Sequence, residues 1–219
     1  MRGVLPPRLL LLALGLAPLR AGAQDAGSIA RRAGSAYRGL GSLQADFIQR
    51  IEDAGIGDTL KTSGRLFQAG PNHFAMRFTD PPEEAIVIDG RYVWVYTPST
   101  APGQVIRMPM DTDPVYGVNL LARILDRPTE RYTVTWLRSE AVNGRPQDVI
   151  SLVPRSASLN FLKAVLWLDQ EDALPRRIEL TESPGVRRIL LLSRLLPNAA
   201  IAEELFQFRG PRGVRIIDQ

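Results

Sequence analysis

The chain has 219 residues, with 27 basic and 23 acidic side chains and no cysteine. This length fits one domain, and the lack of cysteine excludes a disulfide framework, a thiolate metal site and a cysteine nucleophile. The arginines are scattered along the chain instead of forming a basic stripe, which argues against a nucleic-acid partner.

The first 23 residues have the pattern of a secretory signal peptide. A basic start precedes an apolar run over 9–17, and the small residues Ala21 and Ala23 fit a signal peptidase site. The apolar run is too short to span a bilayer, which needs about 20 such residues. We therefore predict cleavage after Ala23, a periplasmic location for the cysteine-free product and one domain over 24–219. An uncleaved membrane anchor is the alternative.

Helical periodicity is confined to short segments. Apolar residues recur at helical spacing over 28–40, where Ser28 is a suitable N-cap. A second helix is predicted over 113–126 with Asp113 as its cap, and a shorter one over 198–203. The residues expected to form the apolar face of the second helix, and to act as a lid over the sheet, are Val118, Leu121, Ile124 and Leu125.

Most of the remaining chain alternates with a period of two, as β-strands do. Turn signals such as Asp89-Gly90 and Asn143-Gly144 separate the segments. Many strands joined by tight turns predict a mainly β fold with an antiparallel meander. Since the short helices cannot all lie within the sheet, some must cover its open face. The predicted strands are 43–52, 59–69, 73–79, 84–89, 91–97, 104–109, 131–140, 147–154, 161–169, 175–182, 186–195, 205–209 and 213–217.

Several strands carry an apolar or aromatic face. The alternation places Phe74, Met76 and Phe78 together, and it places Trp94 with Tyr96. A partly closed sheet leaves room for an apolar ligand, and each buried CH₂ of an acyl chain contributes about 0.8 kcal/mol. The alternative is that these side chains form ordinary core. The residues predicted to line an acyl-chain cavity are Phe47, Leu66, Phe74, Met76, Phe78, Trp94 and Tyr96.

The sequence favours a protein without catalytic activity, cofactor or metal. His73 is the single histidine, so a Ser–His triad or a zinc site lacks partners. The chain contains no phosphate-binding loop, nucleophile elbow or zinc-protease motif. We interpret His73 as a strand residue on the surface.

Short motifs follow one another in a characteristic order. A glycine-led strand at Gly64 runs into a Pro-Asn step at 71–72, and then come a DG..VW.Y.P strand over 89–98 and Gln104-Val105. Further pieces, such as Leu166-Trp167-Leu168-Asp169, agree later in the chain. The set resembles the LolA family of periplasmic outer-membrane lipoprotein carriers, and the likeness covers roughly residues 28–217.

This resemblance implies an incomplete antiparallel β-barrel of the LolA/LolB type with a helical lid over a hydrophobic cavity. It implies a monomeric carrier that takes acylated lipoproteins from an inner-membrane ABC transporter and passes them to an outer-membrane receptor. By motif position, Phe74 matches an aromatic residue of the family's cavity. A carrier of glycolipid or phospholipid and a lipoprotein-sensing regulatory module of the same fold remain alternatives.

One position departs from the family pattern. Family members often have an arginine just before the Pro-Asn step, which bonds to carbonyl groups of the lid, whereas this chain has Gly70. Either another arginine replaces it, with Arg65 and Arg77 as candidates, or the lid is held differently, or the chain is a divergent member with another lipid cargo.

Overall fold

The computed structural model describes residues 25–55, 57–110, 119–156, 161–183 and 185–219, so the predicted signal peptide lies outside the described residues. The described chain folds into one twelve-stranded sheet with short helices, in the order β12-β6-β5-β4-β3-β2-β1-β11-β10-β9-β8-β7. No pairing among these residues joins β12 to β7, which leaves the sheet open and confirms the predicted mainly β, incomplete barrel. The strands are β1 (Ser42–Asp53), β2 (Asp58–Ala69), β3 (His73–Asp80), β4 (Pro82–Asp89), β5 (Tyr92–Tyr96), β6 (Gln104–Pro109), β7 (Tyr132–Val142), β8 (Arg145–Pro154), β9 (Lys163–Asp169), β10 (Pro175–Ser183), β11 (Val186–Pro197) and β12 (Arg215–Asp218).

The topology is two antiparallel meanders joined through β1. This strand pairs with β2 on one side and with β11 on the other, so early and late parts of the chain share one sheet. The predicted meander is wrong in one respect, because β12 runs parallel to β6. A strand that returns from the far end of the chain is not constrained by a hairpin to be antiparallel.

The register between β1 and β6 gathers apolar residues into rows on one face. Directly paired residues of neighbouring antiparallel strands point to the same side, so each row presents one surface. We call this surface the inner face. Its three rows are Leu43–Gln68–Phe74–Ile88–Val93–Met108, Ala45–Leu66–Met76–Ile86–Val95–Ile106 and Phe47–Gly64–Phe78.

The other half of the sheet continues the same surface. Phe47 of β1 pairs with Leu192 of β11, and Gln49 pairs with Leu190. From Leu190 the pairing runs through strands β10, β9 and β8. That row is Leu190–Ile178–Leu166–Ile150.

Three short helices occupy the inner side. They are α1 (Ala26–Arg38), α2 (Leu120–Leu125) and α3 (Pro128–Arg131), and α3 is absent from the sequence prediction. The cap of α1 is Asp25 instead of Ser28, and its carboxylate accepts a bond from the Gly27 N–H at 3.0 Å. The cap of α2 is Asn119. Residues 111–118, including the predicted cap Asp113 and the predicted lid residue Val118, lie outside the described residues.

The predictions for the C-terminal region are partly wrong. The structure has a 3-10 helix at Glu203–Phe206 in place of a helix over 198–203 and a strand over 205–209. The alternation of Leu205, Phe206 and Phe208 looks like a strand, but these residues lie across the opposite face of the sheet. Arg77 donates to the carbonyls of Leu205 and Gln207 at 2.8 and 2.9 Å, so these carbonyls bond to a side chain. We call residues 201–208 the C-terminal strap and the face it covers the outer face.

The register of β2 and β3 can be tested at Gly64, where the two strands come very close. A Cβ atom at this position would lie 2.2 Å from the carbonyl oxygen of Arg77 and 2.8 Å from the Cα of Phe78. Since both contacts are backbone, Gly64→Ala must push β2 and β3 apart and is expected to destabilise the fold by about 2 kcal/mol or more. Thermal or urea unfolding measures this loss.

The matched control is Gly41→Ala, whose Cβ atom would meet only the Asn198 side chain at 3.6 Å. This change is expected to alter the free energy of unfolding by less than about 0.5 kcal/mol. Equal stability of the two variants would contradict the close approach at Gly64.

Candidate functional site: the inner face and its helical cover

The candidate site is the inner face of β1 to β6. Phe47, Leu66, Phe74 and Met76 are each less than 8% exposed and belong to one apolar cluster with the helices. Phe78 is half-buried at the margin of that cluster. Five of the seven residues predicted to line the cavity therefore lie together on this face.

Phe47 and Phe78 meet across Gly64. The three residues form one row, and the missing side chain of the central glycine leaves room for the two rings. Their centroids are 5.2 Å apart with the ring planes nearly perpendicular, an arrangement that aromatic pairs prefer. The row thus ends the inner face with a continuous aromatic surface.

Helices α1 and α2 cover this face with apolar stripes. Ile29, Ala30, Ala33 and Tyr37 of α1 are buried in the cluster, and these positions share one side of a helix. From α2, the predicted lid residues Leu121, Ile124 and Leu125 are buried in it as well. The contact between these helices and the sheet is therefore mainly apolar, and it has no covalent link since the chain has no cysteine.

Polar bonds fix the ends of α2. The Asn119 side chain accepts from the Ala122 N–H at 3.1 Å, and the Tyr132 hydroxyl donates to the carbonyl of Arg123 at 3.2 Å. Burial raises the pKa of the Tyr132 hydroxyl above its ordinary value, while the nearby charges of Arg131 and Arg123 oppose this. Tyr132 therefore stays neutral and able to donate.

A second polar junction connects α1, α2 and the sheet. The Tyr37 hydroxyl donates a hydrogen bond to the side-chain oxygen Oε1 of Gln68, a residue of β2. The same hydroxyl lies 3.3 Å from the Asn119 side-chain oxygen. Tyr37 and Gln68 are 4% and 6% exposed, so both are shielded from water. Burial raises the pKa of the Tyr37 hydroxyl far above its ordinary value, more than its bonds to Gln68 and Asn119 lower it.

Trp94 and Tyr96 do not belong to this site, and their predicted place in the cavity is corrected by the structure. Both point to the outer face, where the Trp94 ring stacks on Phe208 with centroids 5.4 Å apart and Tyr96 lies 5.7 Å from the same ring. The alternation along β5 is as predicted, but Val93 and Val95 are the residues that face the helices. The sequence pattern shows which residues share a side, and only the pairing of β5 with β4 shows which side is which.

The structure also shows where the two arginines lie that could replace the family's arginine. Arg65 and Arg77 are cross-strand partners on the outer face, opposite the helices. Arg77 binds the C-terminal strap, while Arg65 lies over the Phe67 ring at 5.3 Å and pairs with Asp46 at 3.8 Å. Neither arginine contacts α1 or α2 in these bonds, so the helices are held by other groups. Gly70 has a left-handed φ of 58°, which suits glycine in the turn between β2 and β3.

The outer face has a groove of its own. It has a volume of about 870 Å³ and lies over β1, β2 and β11, where Asp46 pairs with Arg65 and Arg194. Ile48 is 41% exposed at its side. Charged and hydroxyl side chains interrupt its apolar lining, so this groove is less suited to acyl chains than the inner face.

The described part of the chain shows neither a cluster of metal-ligating residues nor a helix that could span a membrane. No group of three or more metal-ligating side chains is gathered there. None of its helices is both long and apolar enough to cross a bilayer.

Comparison with known proteins agrees with this architecture. Residues 38–209 match the family model described as the outer membrane lipoprotein carrier protein LolA. A curated outer-membrane lipoprotein carrier protein of Chromohalobacter salexigens is 28% identical over 201 residues, covering 91% of this chain and 90% of its own. That of Shewanella loihica is 27% identical over 180 residues, covering 82% and 81%.

Solved structures show the same fold at lower identity. An uncharacterized conserved protein from Thermus thermophilus has a TM-score of 0.58 at 14% identity and covers 90% of this chain and 100% of that one. MucB has a TM-score of 0.53 at 20% identity and covers 86% of this chain and 64% of its own.

An open sheet with a helix-covered apolar face defines the class of this protein as an incomplete β-barrel. Because the family model spans most of the sequence, the chain belongs to the LolA family of outer-membrane lipoprotein carriers.

Sequence reasoning did not find the part of the inner face that β4 and β6 contribute. Ile86, Ile88, Ile106 and Met108 lie on it, although they were not assigned to the cavity. The signal was present in the alternation of β4 and β6, but short apolar strands do not show which face is inward. The helical period over 28–40 includes Tyr37, but its partners Gln68 and Asn119 are 31 and 82 residues away in sequence, so the period does not predict this junction.

The hydrogen bonds that Asp89 accepts at the start of β5 can be tested by acid titration. Burial by itself raises the pKa of the Asp89 carboxyl, but hydrogen bonds from the Tyr92 N–H, the Trp94 indole and the Arg91 N–H outweigh it and lower the pKa. The stabilisation is therefore present above the unfolded pKa of about 3.9 and is lost as the pH falls through the lower folded pKa.

We expect Asp89→Asn to lose less stability than the unchanged protein between about pH 6 and about pH 3. Thermal unfolding, followed by tryptophan fluorescence, measures the difference. The two proteins should lose stability in parallel if the Asp89 carboxylate makes no stabilising bonds to Tyr92, Trp94 and Arg91.

Proposed function

We propose that this protein binds the acyl chains of lipoproteins between the inner face and helices α1 and α2, and carries them from the inner to the outer membrane. The observation that supports this most strongly is the continuous apolar surface of three rows beneath helices that attach to it mainly by apolar contact. Membership of the LolA family supports the same conclusion.

Apolar burial supplies the affinity. At about 0.8 kcal/mol per CH₂, an acyl chain of roughly sixteen carbons is worth on the order of 12 kcal/mol when it leaves water. No charge or metal is needed for such binding. Since the hydrocarbon part of an acyl chain offers no directional bonds, a surface of Phe, Met, Leu and Ile side chains is sufficient to hold it.

Release is favoured by the way the site is covered. The inner face is already buried against α1 and α2, with Leu66 and Phe74 at 1% and 2% exposure. An entering acyl chain therefore replaces contacts between the helices and the sheet. For this reason binding does not gain the whole free energy of transferring the acyl chain out of water. A carrier needs this balance, because it must load and unload without a chemical step.

The proposal includes the route and the partners. Residues 1–23 act as a cleaved signal that directs residues 24–219 to the periplasm as a single domain. The protein works there as a monomer without catalysis, receives lipoproteins from an inner-membrane ABC transporter and delivers them to an outer-membrane receptor. Lipids extracted from the protein isolated from native periplasm identify the cargo by mass spectrometry. Acylated protein supports the proposal, and free glycolipid or phospholipid alone contradicts it.

Glutamate on the inner face should abolish binding. We expect Phe74→Glu and Phe78→Glu each to lower acyl-chain affinity at least about tenfold, because an ionised carboxylate opposes apolar contact. Phe78 is only half-buried, so its variant tolerates the charge in the folded state better than the buried Phe74. Binding of a fluorescent acylated peptide measures the effect, and circular dichroism monitors the fold.

Ile48→Glu is the control, since Ile48 is exposed on the outer face one residue from Phe47. Its affinity should stay within about twofold of the unchanged protein. Loss of binding in Ile48→Glu, or normal binding in both inner-face variants, would place the ligand elsewhere.

Locking α2 to the sheet should block loading. The chain has no native cysteine, so one engineered pair between α2 and the rim of the sheet, chosen where the Cα atoms are within roughly 7 Å, gives a single disulfide. The oxidised protein is expected to take up less than about a tenth of the normal amount of acylated peptide, because the chain can no longer separate helix from sheet. Reduction restores uptake in the same sample. Full loading of the oxidised protein would exclude α2 as a lid.

A further inference from the structure

The junction of Tyr37, Gln68 and Asn119 is the unusual chemical feature of the inner face. Gln68 is the one polar side chain in the two long rows of β1 to β6, where it lies between Leu43 and Phe74. It is 6% exposed and bonds the equally buried Tyr37 hydroxyl of α1. A buried amide on an otherwise apolar surface is costly unless it has a partner.

An acyl chain that enters between the helices and the sheet separates these partners. Tyr37 belongs to α1, Asn119 caps α2, and Gln68 belongs to β2. Once they are apart, a hydroxyl and a carboxamide are left in apolar surroundings with unused hydrogen-bonding capacity. Tyrosine offers one donor, while glutamine offers two donors and an acceptor.

A hydrocarbon tail cannot satisfy these groups, but the linkage at its head can. Ester carbonyls accept bonds from the Tyr37 hydroxyl and the Gln68 amide, and the N–H of an amide-linked chain donates to the Gln68 oxygen. A site with buried polar groups discriminates strongly against a ligand that lacks the complementary group, because the polar groups then remain unpaired.

The position of the junction fits such a role. Gln68 lies near the end of β2, next to the turn at Gly70 that leads to β3. The wholly apolar row Ala45–Leu66–Met76 and the Phe47–Gly64–Phe78 row follow in order behind it. A lipid whose carbonyls meet Gln68 therefore has its tails over these two rows.

We propose that Tyr37 and Gln68, together with Asn119, recognise the carbonyl groups that link acyl chains to the cargo. This inference rests on the proposed function, since it assigns the polar contacts of the same site. It makes the protein selective for ester- and amide-linked acyl chains over alkyl chains of equal length. When the helices lie on the sheet, the Tyr37 hydroxyl donates to the Gln68 side-chain oxygen, and the Gln68 amide donates to the Gly70 carbonyl at 3.5 Å. When the helices are displaced, the three side chains bond the ligand.

The test compares two synthetic lipopeptides that differ only in the linkage. One carries two palmitoyl chains as esters on a cysteine-linked glycerol, and the other carries hexadecyl chains of the same length as ethers. We expect the unchanged protein to bind the ester about tenfold more tightly, which corresponds to one or two hydrogen bonds. Equal affinity for the two lipopeptides would overturn the inference.

Two variants assign the preference to the junction. Tyr37→Phe removes only the hydroxyl, and Gln68→Met keeps the length of the side chain without its amide. In both variants the ester preference should fall to about twofold or less. Tyr96→Phe is the matched control on the outer face, and its preference should be unchanged. Gln68→Met keeps the test available if Tyr37→Phe does not fold.

The outcomes separate this inference from the function on which it rests. If neither lipopeptide binds the unchanged protein, the proposed function fails together with the inference. If both variants bind both lipopeptides more tightly but keep the ester preference, the junction only holds the helices down and recognition is excluded. Loss of the preference with retained binding of the ether supports recognition.

Discussion

The alignment of apolar residues across hydrogen-bonded strands is the constraint on which the rest of this structure depends. The three rows of the inner face in β1 to β6 are apolar except at Gln68, and a slip of one residue in any strand would expose its apolar set on the other side. Gly64 shows how tightly this register is specified, since β3 passes where a side chain would otherwise lie. The glycine also allows Phe47 and Phe78 to touch.

The two faces of the sheet have different kinds of cover. On the outer face the C-terminal strap is tied by the Arg77 guanidinium and by the stacking of Phe208 on Trp94. Directional bonds and ring stacking of this kind resist displacement. On the inner face the helices attach by apolar stripes. Polar bonds add to these contacts at Tyr37, at Tyr132 and between the Arg32 guanidinium of α1 and the Gln170 carbonyl at 3.3 Å. The difference suits a protein in which one cover is permanent and the other exchanges with a ligand.

The glycine at position 70 affects how the helices are attached to the inner face. With glycine at this position, no long cationic side chain reaches from the turn between β2 and β3 to the helices. The nearby polar contact is made instead by Gln68, two residues earlier, through the hydroxyl of Tyr37. A neutral bond between an amide and a hydroxyl is weaker than one that involves a charged guanidinium, so this bond holds the helices to the sheet less strongly.

The sequence by itself determined which residues of each strand share a side, where α1 lies and that the protein is mainly β, because the period of apolar residues is a local property of the chain. It placed Phe74, Met76 and Phe78 together, and the structure has them so. Only the tertiary structure decided that Trp94 and Tyr96 face outward, that the C-terminal strap is not a strand and that Tyr37 meets Gln68 and Asn119. These features depend on which strands become neighbours and on contacts between distant parts of the chain. Local periodicity contains no information about either.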